Sequence, residues 1–313
     1  MRKYFFAFFF ITIAALTSCR PSYESFDGYA QGGTYRIKYS TAGVRASKSD
    51  IRHTVDSLLT VIDTTLSGYN ASSQLSRFNA GESVDTSGMF DRVYKAAKAY
   101  YELTGGALDC GSGPLFDVWG FGFTRDSLPS PELLAAALEE CKSWKKVNFN
   151  AIAQGFSCDV VAEYLRETGV RNMLVDIGEI YCCGVNPSGQ GWSVGVDNPV
   201  DGNQSPGADL RGIWESDGGS YGIVTSGNYR KFYIKDGRKY SHTIDPRTGY
   251  PVGHGLLSAT IVAPTAELAD AVATYCMVIG PEASREFILG REDLEGYLIT
   301  SDGVWTSPGF TLR

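Results

Sequence analysis

The chain has 313 residues, of which 20% are charged, and a formal net charge of −7. That is length enough for a large core in one big domain or two modest ones. A hydrophobic fraction of 43% is that of an ordinary globular protein. No basic run occurs, which argues against a nucleic-acid partner. An anionic small ligand is compatible with the acidity only where a metal neutralises it locally.

The first elements are an address. Arg2 and Lys3 form a short positive region ahead of the apolar run Phe5–Leu16, which is too short for a normal membrane span and reads as a signal. It ends in Leu16-Thr17-Ser18-Cys19. Small residues before a cysteine resemble a bacterial lipoprotein box, which implies cleavage after residue 18 and a lipid on Cys19. The expected location is the cell envelope, lipid-anchored on the extracytoplasmic, periplasmic side; the alternative is a plain signal peptide followed by a chance cysteine. Loss of residues 1–18, which hold Arg2, Lys3 and no acids, makes the formal charge −9. Residues 20–27 read as a short tether after Cys19, and no linker or repeat divides residues 28–313.

Along the body, Thr34–Tyr39 alternates as a strand after a Gly-Gly turn. Asp50 is positioned to cap a helix that carries Ile51, Val55, Leu58, Leu59, Ile62 and Leu66 on one face. A second helix spans Met89–Leu103 and is stopped by Thr104-Gly105-Gly106; Pro131 opens a third that ends near Cys141. A fourth follows the segment Val147–Gly155 and runs to about Glu167, with Gly169 as its stop. The second half is strand-rich: Met173–Ile177, Trp192–Val196, Tyr221–Thr225, and Tyr229–Ile234 with Lys239–Thr243 around an Asp236-Gly237 hairpin turn. Ser258–Val262, a helix over Thr265–Val278, a shorter helix and a hairpin at Ser301-Asp302-Gly303 complete it. Strands and helices do not alternate strictly, so the fold class expected is α+β, with largely antiparallel sheet and packed helices. Cys110, Cys141, Cys158, Cys182, Cys183 and Cys276 show no C-x-x-C spacing and are expected to be mostly core thiols, with Cys182 and Cys183 facing opposite ways in a strand.

Four segments have the residue types for chemistry. Tyr240–Pro251 presents His242, Asp245 and Arg247 where a strand breaks into a turn-rich loop, a suitable place for proton transfer or phosphate contact. The bland alternative is a histidine bonded to its own turn beside a surface ion pair. In the last long helix, Asp270 and Thr274 are spaced i, i+4 and put two oxygens on one apolar face. An unpaired carboxylate there is costly. It calls for a hard cation such as Mg²⁺, or else for a capping role or a pairing with Arg247. Asn148–Gly155 leads into a helix whose free amides suit an anion. Thr104–Asp109, followed by Gly111-Ser112-Gly113-Pro114, reads first as a plain glycine turn.

Taken in order, these segments resemble the ApbE family of flavin transferases along nearly all of the mature length. The resemblance rests on Gly32-Gly33-Thr34-Tyr35, Ser67-Gly68-Tyr69 through Ser76-Arg77-Phe78-Asn79, Thr104–Asp109, Gly113-Pro114-Leu115 with Trp119-Gly120-Phe121, and Ala151–Gly155. It rests most on Thr225-Ser226-Gly227-Asn228-Tyr229-Arg230, His242–Pro251 and Ala269–Thr274. It implies an ApbE-like body that takes FAD as substrate, cleaves its pyrophosphate with Mg²⁺ and joins FMN through a phosphoester to a threonine of an acceptor protein, releasing AMP. By position it implies metal ligation by Asp270 and Thr274 with the carbonyls of Ala151 and Ala273. It also implies an FAD site of Tyr69, Ala107, Leu108, Asp109, Asn148, Gln154 and Ile244, and His242 assisting the proton transfer.

The chain departs from the family pattern at Gly32 (usually Met), at Asn148 and Gln154 (usually Asp and Lys), and at Gly178, a single glycine where two are common. Two other readings stand beside the transferase: a hydrolase releasing FMN and AMP, and a non-enzymatic flavin-binding lipoprotein.

Overall fold

The computed structural model describes residues 22–121, 128–200, 207–228, 232–235 and 238–313. Cys19, the signal segment and Tyr229-Arg230 lie outside the described residues.

In chain order the elements are β1 (Tyr23–Ala30), β2 (Gly33–Ser40), α1 (Lys48–Leu66), α2 (Gln74–Asn79), α3 (Met89–Leu103), α4 (Gly113–Val118), α5 (Pro131–Cys141) and α6 (Ala153–Glu167). Next come β3 (Met173–Asp176), β4 (Ile180–Cys183), β5 (Ser193–Asp197), β6 (Leu210–Glu215), β7 (Ser220–Gly227), β8 (Phe232–Lys235) and β9 (Arg238–Ser241). The last are β10 (Ile244–Asp245), β11 (Tyr250–Pro251), β12 (Leu256–Ala263), α7 (Ala266–Ile279), α8 (Pro281–Leu289), β13 (Glu295–Thr300) and β14 (Gly303–Thr306).

Eight strands form one antiparallel sheet in the order β1-β2-β3-β4-β7-β12-β13-β14. Its strands sort side chains by their period of two. On β7, Val224 enters the core beneath the helices while Ile223 faces the other side; Ile261 and Val262 on β12 divide the same way, as do Leu298 and Tyr297 on β13. The far face is covered by the β5–β6 ribbon, with Trp192, Trp214 and Phe310 in its core. The helical face carries α1, α6 and α7. Cys182 is buried in the far core and Cys183 packs partly buried on the helical side, so the adjacent thiols do face opposite ways. All six described cysteines are free. The α+β, antiparallel architecture anticipated from the sequence is the one found.

Several boundaries differ. The expected tether over residues 20–27 is largely strand, because Tyr23–Ala30 pairs residue for residue with β2. The cap of α1 is Ser47, whose side chain accepts from the Asp50 amide; Asp50 sits inside the first turn. The glycine turn at 111–114 instead opens α4, with Pro114 in its first turn.

The tightest packing lies where α6, α7 and β7 meet. A Cβ on Gly155 of α6 would come 2.3 Å from the carbonyl oxygen of Ala266, and one on Gly222 of β7 would come 2.4 Å from the Ala266 Cα. Ala266, fully buried at the first residue of α7, is thus held between two backbones. Gly222→Ala is expected to destabilise by about 1–3 kcal/mol through overpacking. Gly68→Ala, with open space around its added methyl, should stay within about 0.5 kcal/mol of the parent. Urea midpoints at constant m-value measure both, and equal midpoints for the two variants would contradict the close approach.

Candidate active site

Helices α6 and α7 hold each other's ends. Asp159, one turn into the buried face of α6, accepts from the amides of Ala266 (3.0 Å) and Glu267 (2.8 Å) at the start of α7. In return Asp270 of α7 accepts at Oδ2 from the Gly155 amide at 3.0 Å. That amide belongs to the first turn of α6, where no intrahelical acceptor is available. Asp270 is 5% exposed. Burial pushes its carboxyl well above the usual carboxylate range; the Gly155 amide opposes this, and the carboxylates of Glu267 and Asp159 add to the rise. Of the alternatives left open by the sequence, capping is present and pairing with Arg247 is not. Arg247 is bonded to Asp245 through two contacts, 2.9 and 2.8 Å. Burial pushes Asp245 up, but the Arg247 guanidinium and amide outweigh it and hold the carboxyl below its ordinary value.

The expected metal ligands lie on α7 and just before α6, the two helices of this crossing. Thr274 is one turn beyond Asp270, half-buried, its hydroxyl 3.4 Å from that of Ser226 on β7. Ala151 precedes the first residue of α6, whose first ladder bond runs from Phe156 to Ile152 at 2.9 Å; the Ala151 carbonyl is therefore outside that ladder. Ala273 lies fully buried inside α7, where its carbonyl keeps a second lone pair beyond the helical bond. Among the described residues no cluster of three or more His, Cys, Asp or Glu is arranged to hold a metal. A donor set of one buried carboxylate, a hydroxyl and carbonyls is instead the kind a hard cation takes, with waters and a phosphate completing it. The chemistry of the residues present fits Mg²⁺.

The expected flavin residues divide. Asn148 and Asp109 come together, because the Asn148 amide donates to the Cys110 carbonyl at 2.7 Å and so joins the two loops. The Asn148 side chain accepts from the Asn150 amide. Asp109 lines a cavity of about 480 Å³. Lys98, Lys142, Trp144, Gly106 and Arg247 line it too. Burial raises the Asp109 carboxyl, opposed by the Gly111 amide and by Lys98. The Lys98 ammonium sits 3.3 Å from the centroid of the Trp144 ring. Ala107 and Leu108 are buried behind the loop, and Ile244 is buried with Trp119. Gln154 reaches the Ile177 carbonyl at 3.4 Å. Tyr69 is 69% exposed on the loop after α1, and His242 is half-buried with its ring centroid 6.5 Å from that of Phe121.

The departure at Gly32 has a local cause. Gln31 and Gly32 both have positive φ, 52° and 80°, and make the two-residue turn between β1 and β2, a geometry that favours glycine at its second position. The Gln31 side chain then bonds Ser157 on α6. Sequence reasoning also missed Asp159, Lys98 and Trp144. Asp159 carried one signal, an acid among the apolar positions of its helix.

A family model described as the ApbE family matches residues 32–298. The chain is 31% identical to the FAD:protein FMN transferase of Haemophilus influenzae, over 96% of this chain and 92% of that protein. To the one from Vibrio cholerae it is 35% identical, over 87% and 86%. Among solved structures, the flavin transferase ApbE from Vibrio cholerae superposes with a TM-score of 0.77 at 31% identity, covering 92% of this chain and 98% of that one. The apo form of Pseudomonas stutzeri flavinyl transferase ApbE gives 0.79 at 30% identity, covering 92% and 95%. The antiparallel sheet with helices packed on it is thus a fold shared with solved flavin transferases. The chain belongs to the ApbE family.

Tyr100 on α3 donates to the Glu267 carboxylate at 2.9 Å. Burial raises the Glu267 carboxyl while this bond and Arg92 lower it. Tyr100→Phe keeps the ring and removes the donor, with an expected cost of about 1–2 kcal/mol in chemical denaturation. A midpoint equal to the parent's would mean that water serves Glu267 equally well.

Proposed function

We propose that the chain is a Mg²⁺-dependent FAD:protein FMN transferase, exported and held to the envelope membrane by a lipid on Cys19. The observation that carries the reading is Asp270, a buried carboxylate whose carboxyl is raised further by the acids Glu267 and Asp159, one helical turn from Thr274. Family membership supports the choice of FAD and of a protein acceptor.

Asp270, Thr274 and the carbonyls of Ala151 and Ala273 would hold Mg²⁺, which supplies charge neutralisation at the pyrophosphate and at the departing AMP oxygens. Asp109, Asn148, Gln154, Tyr69, Ala107, Leu108 and Ile244 bind and orient FAD. His242 assists removal of the acceptor threonine's proton. The threonine oxygen forms a bond to the FMN phosphorus, the bond from that phosphorus to the AMP oxygen breaks, and AMP leaves. Asn148 and Gln154 are uncharged, so neutralisation of the phosphates falls more heavily on the cation.

Full-length protein in detergent, incubated with FAD, Mg²⁺ and a threonine-bearing acceptor, should yield a fluorescent acceptor band that survives denaturation. Release of FMN and AMP without acceptor, and no covalent flavin with it, would make the protein a hydrolase; intact FAD that Mg²⁺ does not turn over would make it a flavin carrier. Asp270→Ala is expected to lower Mg²⁺-dependent turnover by about 100-fold or more. His242→Ala should reduce kcat with little change in FAD affinity, and an equal loss of FAD binding would remove its proton role. Cys19→Ser should move the protein out of the membrane fraction.

A further inference from the structure

The crossing of α6 and α7 is tied by polar contacts as well as by packing. Contact at Ala266 is backbone against backbone, with Gly155 and Gly222 on either side. The start of α7 already has a local cap, Thr265, whose side chain accepts from the Leu268 amide. Asp159 is placed there as well, 8% exposed, and each of its oxygens takes one further first-turn amide. Burial pushes its carboxyl up to about 6 against the pull of those two amides, and Glu267 and Glu163 push the same way. At neutral pH it is therefore ionised at a cost in stability. A group kept at such a cost is expected where geometry is needed for function.

The geometry has two anchor points. The Asp159 carboxylate grips the first turn of α7, and one turn back along α6 the Gly155 amide grips the Asp270 carboxylate. Two contacts separated by a turn on both helices fix the axial position of α7 and its rotation. The second of them engages Asp270 at Oδ2.

We propose that Asp159 is a positioning residue of the metal site. By holding the first turn of α7 it keeps Asp270 and Thr274 aimed at one cation position, and it touches neither the cation, nor FAD, nor the acceptor. This rests on the Mg²⁺ reading given above. Residues that orient a ligand from outside the coordination sphere commonly contribute about 10–100-fold in metal affinity, and an effect through the helix belongs at the lower end of that range.

The test is calorimetric titration of Mg²⁺ into the full-length chain in detergent, without FAD, alongside turnover as a function of Mg²⁺ and of FAD. Asp159→Ala should weaken Mg²⁺ binding about tenfold, while the FAD KM at saturating Mg²⁺ stays within about twofold of wild type. Asp159→Asn keeps the shape and one acceptor oxygen and should fall between the two, a partial rescue that a loss of folded protein would not produce. Wild-type Mg²⁺ affinity in a folded Asp159→Ala or Asp159→Asn chain overturns the proposal, as does an FAD KM rising in step with the Mg²⁺ constant. Absence of Mg²⁺ binding and of Mg²⁺ dependence in the wild type would overturn the metal reading itself, and this inference with it.

Discussion

Ala266 is where the molecule has no slack. Helix α6 approaches it through Gly155 and the central strand β7 through Gly222, each so closely that a methyl group on either would overlap the α7 backbone. Interiors packed to this density transmit displacement rather than absorb it. The direction in which α7 leaves the sheet is thereby fixed at its first residue. Everything further along it follows: Asp270 beneath the start of α6, Thr274 against Ser226, and Tyr275 beside the loop of Arg247.

Charge is partitioned around that helix. Its start gathers Asp159, Glu267 and Asp270, with the Tyr100 hydroxyl and the more distant Arg92 as partial compensation. Arg92 itself is engaged with Glu163 through two contacts, 2.9 and 2.6 Å, and lies over the Phe156 ring. Cations collect elsewhere, with Lys98, Lys142 and Arg247 around the cavity that Asp109 enters. A chain acidic overall thus holds one region that asks for a positive ion and another whose lining tolerates a negative group.

Legibility in the sequence followed the physics of each element. Helices α3 and α5 were readable because apolar periodicity agreed with one terminal signal in each, the Thr104-Gly105-Gly106 stop after α3 and the Pro131 start of α5. Strand β1 was not, since only Phe26 of Tyr23–Ala30 is fully buried and an edge strand offers little alternation; its existence depends on a partner that composition does not show. Strands β4 and β6 were missed for related reasons. The first is four residues long and buried against layers on both faces, and in the second only Trp214 is fully buried. At the site, the i, i+4 spacing of Asp270 and Thr274 was visible, whereas Asp159 was not recognised. A carboxylate in an amphipathic pattern is read by default as solvated, and only the helix crossing reveals that its partners are another helix's amides.

The hairpin that begins at Tyr23 bears on where the enzyme can work. If the lipid sits on Cys19, as proposed, four peptide steps separate the anchored residue from the first residue of the sheet. Fully extended they span about 13–14 Å, roughly a third of a bilayer's total thickness. Such a chain would be a short leash, keeping the body close against the lipid headgroups and limiting how far it ranges. On that proposal, a threonine presented just above the membrane surface would come within range.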